Sequence, residues 1–355
     1  MTTPEWTKGL DAYEGRSPEE ILADLEEEEK EPQEKPDILY HYTDAVGFLG
    51  VLDKEEIWAS EVRCMNDAQE IEYAAGLVAE ECKKFGDEFV SWKTPELSTA
   101  PSVSGLPQWM RENFDPKGGN GPYPHGARLM YKLASSFAKV ARSRHQGGPN
   151  TYAACFTTEP DSLGQWRGYA GGRGYAIGFR YEALSQVRVG ESGPLIGEPQ
   201  RVLYGEKGGK EQVARLYRQI GKRMLTVAQI LEQNEEARKS GNPVSDEKPY
   251  LGSFGPKFPE LATVKHKAFE EEREWRLILS EEYENVAELV PDFRAGGVGG
   301  VLPYLRLKVP EGAITSVRVG PGEETDLRVL MAQQALARYG HHDVKVLTSD
   351  APYRP

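Results

Sequence analysis

The sequence predicts an α+β fold, on three observations. Short strand-like segments recur along most of its 355 residues without the regular βαβ alternation of a doubly wound sheet. Amphipathic helical stretches separate them, and no internal repeat is visible. A composition of 39% hydrophobic and 28% charged residues is that of a globular chain, which excludes disorder throughout.

The first 36 residues read as a mobile acidic appendage. Ser17-Pro18-Glu19-Glu20 is a capping box with Pro at the first helical position, so a short helix is expected there. Between Glu19 and Glu34 stand nine acids and one lysine, a block that stays solvated. The folded part, 37–355, opens at Ile38-Leu39-Tyr40-His41-Tyr42-Thr43, an apolar strand ending in polar residues. Thr43 or Asp44 caps a helix carrying Phe48, Leu49 and Leu52, and Ile57-Trp58-Ala59 is the second strand. Residues 70–89 form a helix with Ile71, Ala75, Val78 and Cys82 on one face. Residues 91–127 are rich in Pro, Gly and Ser and read as loop.

Leu129, Leu133, Phe137 and Val140 mark the next helix, and Tyr152–Thr157 a buried strand. The segment from Thr157 to Tyr169 reads as a strand end and a short turn, and the glycine-rich 168–174 leads into strand 175–179. That order excludes a dinucleotide-binding loop, which follows a strand and opens a helix. A long helix with Leu216, Ile220, Met224, Val227 and Leu231 comes next, then loop over 240–259, helix over 261–272 and strand over 275–279. Strands near 304–309 and 314–319, a helix over 325–339 and a strand over 344–347 complete the reading. The ranges 91–150 and 205–260 are insertions into one domain.

Several function classes drop out. The 43 Lys and Arg against 56 Asp and Glu give a net charge of -13, which argues against a general nucleic-acid coat. No apolar run approaches the ~18 residues of a membrane span, so no membrane partner is expected. The start lacks the apolar core of a signal peptide, and three cysteines form neither a CxxC pair nor an even set; a reducing cytoplasm fits. GxxxxGK[ST], HExxH and GxSxG do not occur, and His341-His342 is a helix-end pair rather than a metal site.

Three segments place reactive side chains at strand ends. His41-Tyr42-Thr43 puts an imidazole where it can donate to a ribose hydroxyl. Phe156 to Tyr169 crowds Trp166, Arg167 and Tyr169, suited to stacking on a flat cation and meeting a phosphate. Phe269 to Arg276 places acids at a helix C-terminus, against the macrodipole, and Glu274 at the opening of an apolar strand.

Together these segments resemble the ADP-ribosyltransferase fold, in the branch that includes poly-ADP-ribose polymerases, diphtheria-type toxins and RNA 2'-phosphotransferases. The resemblance rests on Leu39–Thr43, Gly47–Leu52 and Ile57–Ala59, on Cys155-Phe156-Thr157 with Trp166, and on Glu274-Trp275-Arg276-Leu277-Ile278-Leu279. From about residue 37 to 355 the chain also resembles the bacterial family of domain of unknown function 2971. That likeness is carried by His41-Tyr42-Thr43, Met65-Asn66-Asp67 with Glu70, Phe156–Tyr169, Glu272–Arg276 and Pro352-Tyr353-Arg354.

The resemblance implies split antiparallel sheets around an NAD cleft, with NAD as substrate and no metal. It implies transfer of ADP-ribose to a macromolecular acceptor, protein or nucleic acid, in a toxin, defence or stress role. Glu274 would stabilise the oxocarbenium-like ribose, His41 would orient the dinucleotide, and Glu272 would position or deprotonate the acceptor. Tyr42, Thr43 and Phe156 would border the cofactor, Trp166 or Tyr169 would stack on nicotinamide, and Arg167 would meet the pyrophosphate. Asn66 and Asp67 line the cleft or cap the next helix. A non-catalytic nucleotide-binding or sensing module, an NAD glycohydrolase and an RNA 2'-phosphotransferase are the alternatives. Residues 201–223, with seven Lys/Arg and two Glu, and helix 128–145, with five basic residues, form either a basic rim or two solvated helix faces.

Overall fold

The computed structural model describes residues 35–65, 70–91, 125–142, 150–171, 173–213, 215–216, 240, 258–281, 289–296 and 300–352. The capping box at Ser17, the stretch 217–239 and most of 240–259 lie outside the described residues, as do Asn66 and Asp67; of the loop expected over 91–127, residues 92–124 lie outside them and the two ends, Ser91 and 125–127, are helical instead. The chain divides into two compact units, one of residues 1–33, 75–144 and 206–256, the other of 34–74, 145–205 and 257–355.

The first unit is helical where described. Its part of helix Glu70–Ser91 and helix His125–Arg142 run antiparallel, because Gly76 meets Ala141 and Gly86 meets Tyr131. Tyr131 also donates its hydroxyl to Asp87 at 2.6 Å.

Among the described residues the second unit holds thirteen strands. They are β1 (Ile38–Thr43), β2 (Glu56–Glu61), β3 (Thr151–Thr157), β4 (Tyr175–Arg180), β5 (Arg188–Val189), β6 (Gln200–Arg201), β7 (Leu203–Tyr204), β8 (Val264–Lys265), β9 (Glu274–Ser280), β10 (Asp292–Ala295), β11 (Val301–Lys308), β12 (Ile314–Val319) and β13 (Lys345–Thr348). Eleven of them form one mostly antiparallel sheet in the order β10-β11-β2-β3-β1-β4-β12-β13; β9 pairs with β3 and β6, and β5 with β11. Among the described residues only β12 and β13 run parallel in it, and β7–β8 is a separate parallel pair. The architecture is therefore α+β.

The centre of the sheet divides. β9 pairs with β3 along its whole length, from Thr151↔Ser280 to Thr157↔Glu274. The opposite edge of β3 is shared, with β2 opposite Tyr152 and Ala153 and β1 opposite Thr157. Between these contacts β1 and β2 part, leaving the backbone of Ala154 to Phe156 without a paired strand on that edge.

One face of the sheet carries the main core. Leu39, Ile57, Ala59, Phe156, Ile177, Phe179, Trp275, Leu277 and Leu305 pack there against Phe48, Val51 and Leu52 of helix Ala45–Lys54, with Ala332 and Leu336 of helix Thr325–Arg338. Asp44 caps the first of these helices by accepting from Gly47 N at 2.8 Å, which ends β1 at Thr43. The other face holds a smaller cluster of Tyr42, Trp166, Ala170 and Ala176, with Tyr40, Tyr169 and Ala351 against it.

Two elements differ from the sequence expectation. The turn expected after Thr157 contains a helix, Leu163–Tyr169, started by the bond from Trp166 N to Ser162 O at 3.0 Å and anchored by the buried Trp166. The helix expected over 261–272 is instead a turn of helix Phe258–Leu261, strand β8 and a 3-10 helix Lys267–Glu272. Pairing of Leu203 and Tyr204 with Val264 and Lys265 extends the chain there, a tertiary contact overriding local pattern. Among the described residues no helix is long and apolar enough to cross a membrane, and no group of three or more His, Cys, Asp or Glu is placed to hold a metal ion.

Candidate functional site

The gap where β1 and β2 part is filled by a histidine. His41 Nδ1 lies 2.9 Å from the Cys155 carbonyl oxygen on the unpaired stretch of β3. A carbonyl only accepts, so Nδ1 carries the hydrogen. Burial of the ring lowers its pKa below 6.5; the Cys155 bond opposes that, and the charge of Arg294 adds to it. His41 is thus neutral at pH 7, with Nε2 left as an acceptor. Its ring packs 5.7 Å from that of Phe156.

Tyr40 and Tyr42, one residue either side of His41, point to the face of the smaller cluster. Tyr40 lies over Gly178, where an added Cβ would sit 3.0 Å from the Tyr40 ring and 2.5 Å from Ser316 Oγ, so any side chain there displaces it. Tyr42 donates to Glu159 O and accepts from Ser162 N, both at 2.9 Å, fixing the start of helix Leu163–Tyr169.

Two carboxylates arrive from the far end of the chain. Glu272 closes the 3-10 helix, and Arg273 takes the left-handed conformation (φ 43°, ψ 50°) before β9 begins at Glu274. A non-glycine residue held there costs about 1–2 kcal/mol. That kink is held by Thr157 Oγ1 donating to Glu272 O at 2.6 Å and by Glu274 N donating to Tyr204 Oη at 2.8 Å.

A buried charge network surrounds them. Arg276 grips Glu274 at two points, Nε to Oε1 at 2.8 Å and Nη2 to Oε2 at 3.0 Å. Its Nη1 donates to Ala262 O at 2.7 Å and pairs with Glu70 at 2.6 Å. Lys265 Nζ bridges the two acids, 2.7 Å from Glu272 Oε2 and 3.0 Å from Glu274 Oε2. Burial alone raises the Glu274 pKa, but Arg276 and Lys265 overcome it and hold the carboxyl at about 2. Glu272 is shifted the other way. Burial and the charge of Glu274 raise its pKa above 4.5 against the pull of Lys265. Two acids with pKa values pushed apart suit two different tasks.

These groups open onto one cavity of about 40 Å³, lined by Tyr40, His41, Tyr42, Cys155, Phe156, Gln165, Tyr169, Glu272 and Glu274. It has room for about three waters and is smaller than the ~150 Å³ that accepts a benzene ring. A nicotinamide ring therefore does not fit without widening.

Residues 165–277 match the model of a family described as "Protein of unknown function (DUF2971)". No curated protein and no solved structure matches the chain. The matched stretch supplies Gln165, Tyr169, Glu272 and Glu274 to the cavity, while Tyr40, His41, Tyr42, Cys155 and Phe156 come from before it.

Of the residues expected at the site, the cavity collects His41, Tyr42, Phe156, Tyr169, Glu272 and Glu274. Trp166 is not among them. It is fully buried between Tyr42, Ala170 and Ala176, and its Nε1 donates to Asp161 Oδ1 at 2.7 Å, so its face is already covered and unavailable for stacking. Arg167 is exposed and Thr43 half-buried, and neither lines the cavity.

Sequence reasoning missed Tyr40, Cys155, Gln165, Lys265 and Arg276. Tyr40 and Arg276 carried a signal, since each lies two residues along a strand from a chosen residue and shares its face. Lys265 carried none, because only the β7–β8 pairing brings it to Glu274.

Proposed function

We propose that the chain is an NAD-dependent ADP-ribosyltransferase acting on a macromolecular acceptor. The observation that carries the reading is the meeting of a neutral His41 with the Glu272–Glu274 pair, more than two hundred residues away, on one aromatic-lined cavity. Cleavage of the nicotinamide–ribose bond develops positive charge on the ribose. Glu274, ionised down to about pH 2, supplies a fixed negative charge toward it.

Both Glu274 oxygens are engaged by Arg276 and Lys265, so direct contact with a hydroxyl falls to Glu272, whose Oε1 accepts no hydrogen bond among the described residues. The C–N bond breaks and its electron pair leaves with nicotinamide. The acceptor heteroatom bonds to the ribose C1', and its proton passes to Glu272. His41 Nε2 accepts from a ribose hydroxyl. The cavity widens to admit the ring by movement of Tyr169 or Gln165, which share the seven-residue helix Leu163–Tyr169.

The engagement of both Glu274 oxygens by basic side chains favours a second reading, a nucleotide-binding module without catalysis. Incubation with labelled NAD and cell lysate separates the two. Nicotinamide release with label transferred to protein or nucleic acid supports the transferase; NAD binding without release supports the binder; absence of both overturns the assignment. Glu272→Gln is expected to lower release by about 10²-fold or more, as loss of a positioned acid or base does.

A further inference from the structure

We infer that Arg294 and Trp58 form a nucleotide subsite beside the cavity, with Arg294 meeting phosphate and Trp58 the base; this rests on the reading of the cavity as an NAD site.

Strand register gives the placement. Ser60 pairs with Ala153 and Glu61 with Tyr152. Carried two residues further, that register sets Trp58 level with Cys155, where β2 and β3 have parted and His41 binds the Cys155 carbonyl. Side chains two apart on a strand share a face. Trp58, Ser60, Ala153, Cys155, Thr157, Glu274 and Arg276 therefore all project to one side of the sheet, which is the side of the cavity.

Arg294 reaches this face from the outermost strand, β10. Its guanidinium lies 5.6 Å from the Trp58 ring centroid, and Nη2 donates to Ser60 Oγ at 3.3 Å. It is close enough to His41 to help keep that ring neutral. Tyr304 backs Trp58 at 4.4 Å between ring centroids. Trp58 nevertheless stays 42% exposed.

The neighbouring arginine is differently used. Arg306 pairs with Asp292 at 2.7 Å, whereas Arg294 has no carboxylate partner among the described residues. A guanidinium left with only a hydroxyl and a ring keeps most of its five donors for a phosphate, which it can bind with a fork. An exposed indole beside it offers the stacking surface that nucleobases use. Nucleoside diphosphate is the ligand class with both features, and it is the half of NAD that a small cavity at the sheet division leaves outside.

The test is calorimetry of ADP binding to the full chain and to Arg294→Gln, Arg294→Lys and Trp58→Ala, with melting temperatures as a folding control. ADP contains no bond to nicotinamide, so its binding is read independently of turnover. Arg294→Gln is expected to weaken ADP about tenfold or more, Arg294→Lys less, and Trp58→Ala about fivefold or more. Added salt should weaken wild-type binding more than that of Arg294→Gln. ADP binding that is absent in the wild type, or unchanged in Arg294→Gln and Trp58→Ala, overturns the subsite. So does a single-stranded oligonucleotide binding through Arg294 where ADP does not. Nicotinamide release measured alongside distinguishes the failures: release with Arg294-independent ADP binding sinks the subsite alone, and Arg294-dependent ADP binding without release sinks the transferase reading alone.

Discussion

Glu274 and Arg276 stand two residues apart on β9 and form a two-point ion pair, at 2.8 and 3.0 Å, with both side chains buried. Removing one partner of such a pair leaves an uncompensated charge out of water. Glu274→Gln is therefore expected to destabilise the fold by about 3–5 kcal/mol, visible as a lower urea midpoint. An unchanged midpoint would show that Glu70 and the Ala262 carbonyl suffice for Arg276. Activity lost in this variant has to be compared at equal folded fraction, for which Glu272→Gln, on a partly exposed residue, is the cleaner probe.

The two acids give opposite pH dependences of stability. The folded pKa of Glu274, about 2, lies below its ordinary 4.5, so between those values the unfolded chain binds the extra proton. The contribution of Glu274 is full above pH 4.5 and is lost as the pH falls through 4.5 toward 2. Glu272, raised above 4.5, contributes below its unfolded pKa and loses that contribution as the pH rises through its folded pKa. Urea unfolding of wild type and Glu274→Gln at about pH 6 and about pH 3 checks this. The gap between them should narrow at the lower pH; a constant gap contradicts the depressed pKa.

Nicotinamide release, if Glu272 takes the acceptor proton, should have an acid limb above the ordinary carboxylate range, because the residue must be ionised to act. Glu272→Gln should remove that limb along with most of the rate. A limb that persists in the variant assigns it to another group.

Asp161 ties three elements together, accepting from Trp166 Nε1 at 2.7 Å, Ser349 Oγ at 2.5 Å and Asp350 N at 2.7 Å. Hydrogen bonds to a charged group contribute about 1.5–3 kcal/mol each at most. Asp161→Ala is expected to cost about 2–4 kcal/mol and to speed hydrogen exchange of the Asp350 and Ala351 amides. A tail that stays protected would mean that Ala351 packing alone holds it.

Gly174 is a close-approach position. A Cβ there would meet Thr43 O at 2.1 Å and Ala170 O at 2.7 Å, both backbone atoms that cannot swing aside. Gly174→Ala should lower stability by about 1–3 kcal/mol or more, whereas Gly168→Ala, with nothing within 4 Å, should not. Thermal melts of the two variants make the comparison.

Much of the strand pattern was legible along the chain because its cause is local. The run Trp275–Leu279, apolar except for Arg276 and buried on both faces, and the alternation around Ile57 can hardly form anything but strands, and Asp44 ends β1 wherever the rest of the protein lies. His41 and Glu274 also stood out locally, as polar groups at the ends of apolar strands. What the sequence could not decide was which residues share a space. Trp166 and Tyr169 lie three apart on one helix and looked interchangeable, but the bond from Trp166 to Asp161 and its burial under Tyr42 leave only Tyr169 facing the cavity. Lys265 was invisible as a partner of Glu274, because only the β7–β8 pairing brings it there, whereas Arg276, two residues along β9 on the same face, was legible as a neighbour. The pKa order of Glu272 and Glu274 is likewise a property of that pairing. Local propensity and burial pattern act through neighbours in the chain, and electrostatics and packing act through neighbours in space; the elements follow from the first, and the site follows from the second.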